Sequence, residues 1–300
     1  MFGTRETFDY IECSKCGCLQ IKEIPREMSK FYQNKKYYSF NLGTSNFFKK
    51  IIVRKRNEYC LFGTSFSGKL INLKFPNEFF SILGNIGIDI NSRILDVGCG
   101  SGALLFNFKE SGFTKLMGVD PFLEKEINLE NLKILKKSIH QVSDNQKFDF
   151  IIFSHSFEHL EDPIETLIKV KKILSKNGKC IIRIPVKTEY IWSKYGSNWV
   201  QIDAPRHFFI YTIKSFKILV EKAGFKIKKS FFDSTDFQFW GSEQYKKDIS
   251  LESENSYAVN PENSIFTHSD IKKFKLQSQE LNDKRLGDQA IFIMGLNDET

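Results

Sequence analysis

A chain of 300 residues with 41% hydrophobic and 14% aromatic residues can build a sizeable core, as one large domain or two smaller ones. It has no run of eighteen apolar residues, and Arg5, Glu6, Asp9 and Glu12 stand where a leader would need an apolar core, so a soluble, cytoplasmic protein without a membrane span is expected. The formal charge of +8 is unevenly placed: residues 1–75 hold 14 Lys/Arg against 6 Asp/Glu, and residues 76–300 hold 30 of each.

Six cysteines lie at 13, 16, 18, 60, 99 and 180, with none placed like a disulfide partner, which fits a reducing compartment. Cys13-Ser14-Lys15-Cys16-Gly17 has the form of half a zinc ribbon, a turn that aims two thiolates at one tetrahedral ion. The second pair is missing. Cys18 and Cys60 are the only residues at hand to complete four ligands, so a metal-free turn is the competing reading. Lys36-Tyr37-Tyr38-Ser39-Phe40 reads as a packing or pocket-lining segment. A basic amphipathic helix is expected over Ser45 to Tyr59, with Lys49, Lys50, Arg54, Lys55 and Arg56 either a solvated face or a surface for phosphate-bearing substrate, anionic lipid or nucleic acid. A turn-rich piece follows at Gly63 to Gly68, and Phe79, Phe80, Leu83 and Ile86 mark a helix ending at Gly87.

From Pro76 onward, strands are expected at 93–98, 115–120, 132–137, 148–154 and 180–185, with helices near 102–111, 123–130 and 163–175. The last of these helices starts at Asp162-Pro163-Ile164-Glu165 and should stop at Asn177-Gly178. Thr212 opens another helix that Gly224 ends, before a sixth strand at 226–233. A polar stretch and a helix near 268–285 then precede Gln289 to Met294, which reads as a seventh strand returning to the sheet. The expected fold is α/β, a doubly wound and mostly parallel seven-stranded sheet over 76–296, with 234–286 an insertion before the last strand and 1–75 a basic N-terminal segment.

The chemistry is concentrated in Arg93-Ile94-Leu95-Asp96-Val97-Gly98-Cys99-Gly100-Ser101-Gly102-Ala103, a strand, a glycine turn and a helix start in succession. A dinucleotide fingerprint needs its third glycine one residue later. An acid at the strand end repels pyrophosphate but suits a ligand with an ammonium group.

Asp96, Gly98, Gly100 and Gly102, with Gly118-Val119-Asp120 after the next strand, resemble the first two motifs of the class I S-adenosylmethionine-dependent methyltransferases, over residues 76 to 296. The resemblance implies a Rossmann-like fold, S-adenosylmethionine as cofactor and Asp120 on the ribose hydroxyls. The expected cofactor-binding set is Asp96, Gly98, Cys99, Gly100, Gly102, Asp120, Pro121, Phe122, Ile139 and Ser154, with adenine between Phe122 and Ile139.

After the fourth strand, Ser154-His155-Ser156-Phe157-Glu158-His159-Leu160-Glu161-Asp162-Pro163 lacks both the Asn/Asp-Pro-Pro-aromatic motif of nucleic-acid amino-methyltransferases and the Pro-Cys of cytosine enzymes. It resembles the small-molecule branch, in which ubiquinone-type and sugar-modifying enzymes carry a similar Glu-His-x-x-Asp-Pro ending. Relatives with a metal here use Glu-x-x-Glu-His, whereas this chain has His155 at the first position, so no metal is expected. His155, Glu158 and His159 would share one helical face. Asp203-Ala204-Pro205-Arg206-His207 resembles a segment of methyltransferases from glycan and secondary-metabolite pathways.

The catalytic candidates are therefore His155, His159 and His207, and the acceptor candidates are Arg206 and Tyr211, Arg206 having a bracing pair with Asp203 as its alternative role. The Cys-x-x-Cys start resembles sugar methyltransferases with a zinc module. The expected activity is methyl transfer to oxygen, rather than carbon, of a sugar-like small molecule, in polysaccharide biosynthesis for example. An RNA methyltransferase or a non-catalytic donor-binding protein are the alternatives, nucleic acid being the less expected partner.

Overall fold

A computed structural model describes residues 6–32 and 47–297, with side chains from residue 48 in the second stretch. The expectation for Lys36 to Phe40 and the start of the helix expected at Ser45 lie outside the described residues. In chain order, β1 (Tyr10–Glu12) and β2 (Leu19–Ile21) precede α1 (Phe47–Phe62), α2 (Phe66–Lys74), α3 (Glu78–Asn85), β3 (Ile94–Val97), α4 (Ala103–Glu110), β4 (Leu116–Val119), β5 (Ile127–Leu129), β6 (Leu132–Leu135) and β7 (Phe148–Ser154). There follow α5 (Pro163–Ile173), β8 (Leu174–Pro185), α6 (Glu189–Tyr195), β9 (Phe209–Ile210), α7 (Ile213–Lys222), β10 (Phe225–Phe232), α8 (Phe237–Lys246), α9 (His268–Asp283) and β11 (Gln289–Leu296). The strand order of the main sheet is β10-β11-β8-β7-β3-β4-β6-β5, and β1-β2-β9 form a second, small sheet. Two compact units are distinguished, one of residues 6–32, 157–163 and 183–292, the other of 47–156, 164–182 and 293–297.

In the second unit β3 pairs in parallel with both β4 and β7, and β4 in parallel with β6. All four residues of β3 are buried, as a strand covered on both faces requires. The helix expected at 123–130 does not form. Ile127 and Leu129 follow a two-residue period, and β5 pairs antiparallel with β6 across Glu130-Asn131, so the main sheet has eight strands, not seven.

The turn expected at 63–68 is shorter, spanning 63–65 between α1 and α2. Ser65 Oγ accepts from Gly68 N at 3.0 Å and starts α2. Gly68 is a close-approach residue, since a Cβ there would sit 2.0 Å from the Lys55 carbonyl oxygen on α1. Asn177-Gly178 do not stop a helix either: α5 ends at Ile173 and β8 already contains both residues. Ser175 is held there by Asp149 and Arg93, whose own ion pair is 2.8 Å long.

In the first unit the Cys-x-x-Cys segment is the turn between β1 and β2, closed by Gly17 N to Cys13 O at 2.7 Å and Cys13 N to Cys18 O at 2.9 Å. Thr212 caps α7 as expected, accepting from Ser215 N at 3.0 Å, and its hydroxyl also donates to Cys16 O at 2.7 Å. The stretch 234–286 folds as α8 and α9. Phe239 and Leu281 enter one core cluster with Ile191, Tyr195, Trp199 and Val200, and Trp199 Nε1 donates to Asp288 at 2.9 Å. Its acidic and lysine residues lie mostly on the outer faces, while Gln238 and Gln244 are buried and donate to Ser278 and Ser256, each at 3.0 Å.

Candidate active site

The donor candidates converge at the C-terminal ends of β3 and β4, where open parallel sheets place their ligands. Asp96 is 3% exposed, and burial, with Asp120 nearby, pushes its carboxyl up to about 7. Asp120 follows β4. Its carboxylate accepts from Gly100 N at 2.9 Å and Phe122 N at 2.8 Å, so the second acid holds the glycine loop as well as lying beside it. Burial raises the Asp120 carboxyl against the lowering effect of those two N–H groups.

Gly98 has φ +70°, and a Cβ on it would lie 2.4 Å from the Ser156 Cβ. Ser156 Oγ donates to Val97 O at 2.6 Å, tying the segment after β7 to the end of β3. Sequence reading named Ser154, at the end of β7, and missed Ser156; the available signal was a small hydroxyl residue two positions beyond the strand that pairs with β3. Cys99 turns its sulfur toward Gly118, where a Cβ would be 2.7 Å away, and burial raises its thiol far above the ordinary value. Pro121 is exposed and Phe122 is 51% exposed, while Ile139 is buried in a short turn capped by Ser138 and Gln141.

The acceptor candidates sort differently. His155 takes φ +55° and only 157–159 form a single 3-10 turn, so His155, Glu158 and His159 do not share the helical face their spacing suggested. In the first unit Glu158 and His159 are joined by His207, from 48 residues downstream. One carboxylate oxygen and one nitrogen from each ring lie within 4.8 Å of one another. His207 Nε2 is 3.8 Å from Glu158 Oε1 and 3.6 Å from Asp203 Oδ2. Burial and the neighbouring His207 push the His159 imidazole down to about 4.

Arg206, fully buried, forms an ion pair with Asp203, the bracing arrangement. Tyr211 is buried among Phe157, Phe209 and Phe216, with its hydroxyl enclosed and without a hydrogen-bond partner. Glu158 and Asp203 were absent from the candidate set, because only the folded loop shows that both reach His207.

Among the described residues no three ligands converge at the cysteines. Hydrogen bonds from Cys16 and Lys15 lower the Cys13 thiol, burial pushes Cys18 up to about 11, and the Cys60 thiol donates to Asn72 at 3.2 Å. On α1, Arg54 and Lys55 are paired with Glu58, while Lys49 and Lys50 are exposed.

The profile of a family described as a methyltransferase domain matches residues 61–230, more than half of the chain. The chain belongs to this methyltransferase family. It is an S-adenosylmethionine-dependent enzyme of class I, with the α/β sheet that the sequence led us to expect. The tRNA U34 carboxymethyltransferase of Campylobacter jejuni (serotype O:2) is 29% identical over 161 residues, 49% of this chain and 54% of that protein. The same enzyme of Campylobacter fetus is 30% identical over 145 residues, 44% and 50% of the two chains. The chain thus spans about half the length of the curated relatives it matches. A solved S-adenosylmethionine-dependent methyltransferase from Archaeoglobus fulgidus is 23% identical, with 76% of this chain and 99% of that one covered and a TM-score of 0.44. No helix among the described residues is long and apolar enough to cross a membrane.

Proposed function

We propose that this methyltransferase transfers the methyl group of S-adenosylmethionine to a hydroxyl of a small, sugar-like acceptor in the cytoplasm, including acceptors that carry phosphate. The observation that carries the donor half is the pair of buried acids around one glycine loop, Asp120 bound to Gly100 N and Asp96 held near neutrality. Asp120 takes the ribose hydroxyls and Asp96 faces the donor's ammonium group. Gly98, Gly100 and Gly102 admit the backbone to the ligand. Cys99, Pro121, Phe122, Ile139 and Ser154 complete the donor set, Phe122 offering an exposed ring for adenine to cover.

The acceptor half is assigned to His155, His159 and His207 as catalytic residues and to Arg206 and Tyr211 as acceptor contacts. A sulfonium donor is already activated, so the protein must position the acceptor, exclude water and accommodate a hydroxyl proton. His159 is neutral at pH 7 and its Nδ1 is bonded to the Arg206 carbonyl at 2.8 Å, which leaves Nε2 as the accepting nitrogen.

The reading fixes a pH dependence. Because the folded pKa of Asp96 is about 7 and its unfolded value 3.8, the native state binds the proton more tightly. Stability from this group is therefore greatest below the unfolded value and is lost as pH rises toward 7. A cationic donor needs the carboxylate, so its binding expels that proton and should weaken by nearly tenfold per unit well below pH about 7. Calorimetric titration with S-adenosylhomocysteine across this range should show that slope, and Asp96→Asn should flatten it. A flat profile in the unaltered protein would remove the ammonium role.

An RNA acceptor is the second reading, supported by relatives named as tRNA enzymes and by the exposed Lys49 and Lys50. Methyl-labelled donor incubated with nucleotide sugars, sugar phosphates and total tRNA separates the two. Label in a sugar fraction supports the small-acceptor reading; label only in tRNA, with binding that falls steeply with salt, overturns it.

A further inference from the structure

We propose that Glu158, His159 and His207 form a binding site for one divalent transition-metal ion. The inference deepens the acceptor half above and rests on the histidine pair belonging to it: a coordinated ion would acidify an acceptor hydroxyl directly.

The ligand set is compact, with one oxygen and two ring nitrogens inside 4.8 Å, and Glu158 is fully buried. The tautomers are also fixed for ligation. His159 Nδ1 lies 2.8 Å from Arg206 O, and Tyr32 Oη is farther from the same nitrogen, at 3.4 Å. His207 Nδ1 lies 2.8 Å from Gln201 O. A carbonyl can only accept, so each Nδ1 carries the hydrogen and each Nε2 keeps the lone pair, the outer arrangement that orients metal-bound histidines.

Phe208 N donates to Glu158 O at 2.9 Å and Tyr10 Oη to His207 O at 2.7 Å, so the two ligand-bearing segments are tied to each other and to β1. Asp203 flanks the cluster, its Oδ2 lying 3.6 Å from His207 Nε2, and its enclosed Oδ1 has no hydrogen-bond partner.

Two imidazoles with one carboxylate suit Zn²⁺, Fe²⁺, Co²⁺ or Mn²⁺ better than Mg²⁺ or Ca²⁺, which prefer all-oxygen shells. Three protein ligands leave a position for water or substrate.

The test is titration of the full, chelator-treated chain with Co²⁺, followed by visible absorption, with S-adenosylhomocysteine affinity and methyl transfer measured on the same samples. One equivalent should bind with ligand-field bands and without a sulfur charge-transfer band. Glu158→Gln and His207→Asn should each weaken Co²⁺ by at least about 100-fold, and Cys13→Ser should leave it unchanged. X-ray absorption of the Zn²⁺-loaded unaltered chain reads the same site without any variant: a shell of nitrogen and oxygen with imidazole scattering supports the site. A sulfur shell, or no binding tighter than about 1 mM, overturns it. Failure of metal binding with donor affinity and turnover intact strikes this inference alone, whereas absence of donor binding strikes the methyl-transfer reading.

Discussion

Replacing Asp120 by Ala should weaken S-adenosylhomocysteine binding by roughly 100-fold, and it should also lower the unfolding temperature, because Gly100 N and Phe122 N lose their acceptor. A carboxylate has about four lone-pair sites. Two of those on Asp120 are taken by Gly100 N and Phe122 N, one on each oxygen, which leaves one per oxygen for two neighbouring ribose hydroxyls. Hydrogen bonds to a charged group contribute about 1.5 to 3 kcal/mol each, so losing two costs at least about 3 kcal/mol, or about two powers of ten in affinity. Asp120→Asn keeps an acceptor on one side only and should fall between. Calorimetry decides it: unchanged affinity in Asp120→Ala would take the ribose away from this residue.

The second large effect is expected at Gly98. An alanine there keeps φ near +70°, which costs an L-residue about 1 to 2 kcal/mol, and drives its Cβ to 2.4 Å from the Ser156 Cβ. Overpacking of this kind costs about 1 to 3 kcal/mol more. The contact is with a side-chain root rather than a flexible tip, so the loop must shift. Thermal unfolding should drop by several degrees, and donor affinity by more than about tenfold, because the loop is the donor's platform. Adding Ser156→Gly removes the steric part and leaves the backbone part, so the double variant should recover some of both losses. Additive losses would mean that Ser156 is not what confines Gly98.

What could be read from the sequence was local. Asp96, the three glycines and Asp120 lie within twenty-five residues, on two strands whose parallel register puts Asp96 beside Gly118. The buried β3 announces itself by composition, and so does the capped start of α7. What escaped depended on contacts between distant segments. The histidine cluster was sought along one helix at 155, 158 and 159, whereas the fold takes its third member from position 207 by pairing Phe208 with Glu158. Gly68 looked like a turn because nothing local shows that α1 passes 2.0 Å from where its Cβ would be. The strand at 127–129 was masked by acidic and lysine residues with good helix propensity, and pairing with β6 overrode that preference. Helix α9 was legible near 268–285, whereas α8 was hidden because its buried face mixes Phe239 with Gln238, Ser242 and Gln244 and so lacks a clear apolar period.

The most direct test of the donor assignment is a crystal structure of the full chain with S-adenosylhomocysteine. The account predicts both ribose hydroxyls on the Asp120 carboxylate, the amino group near Asp96, and the backbone of Gly98 to Gly102 against the ligand. S-adenosylhomocysteine bound elsewhere, or at this loop with its ribose away from Asp120, would contradict it.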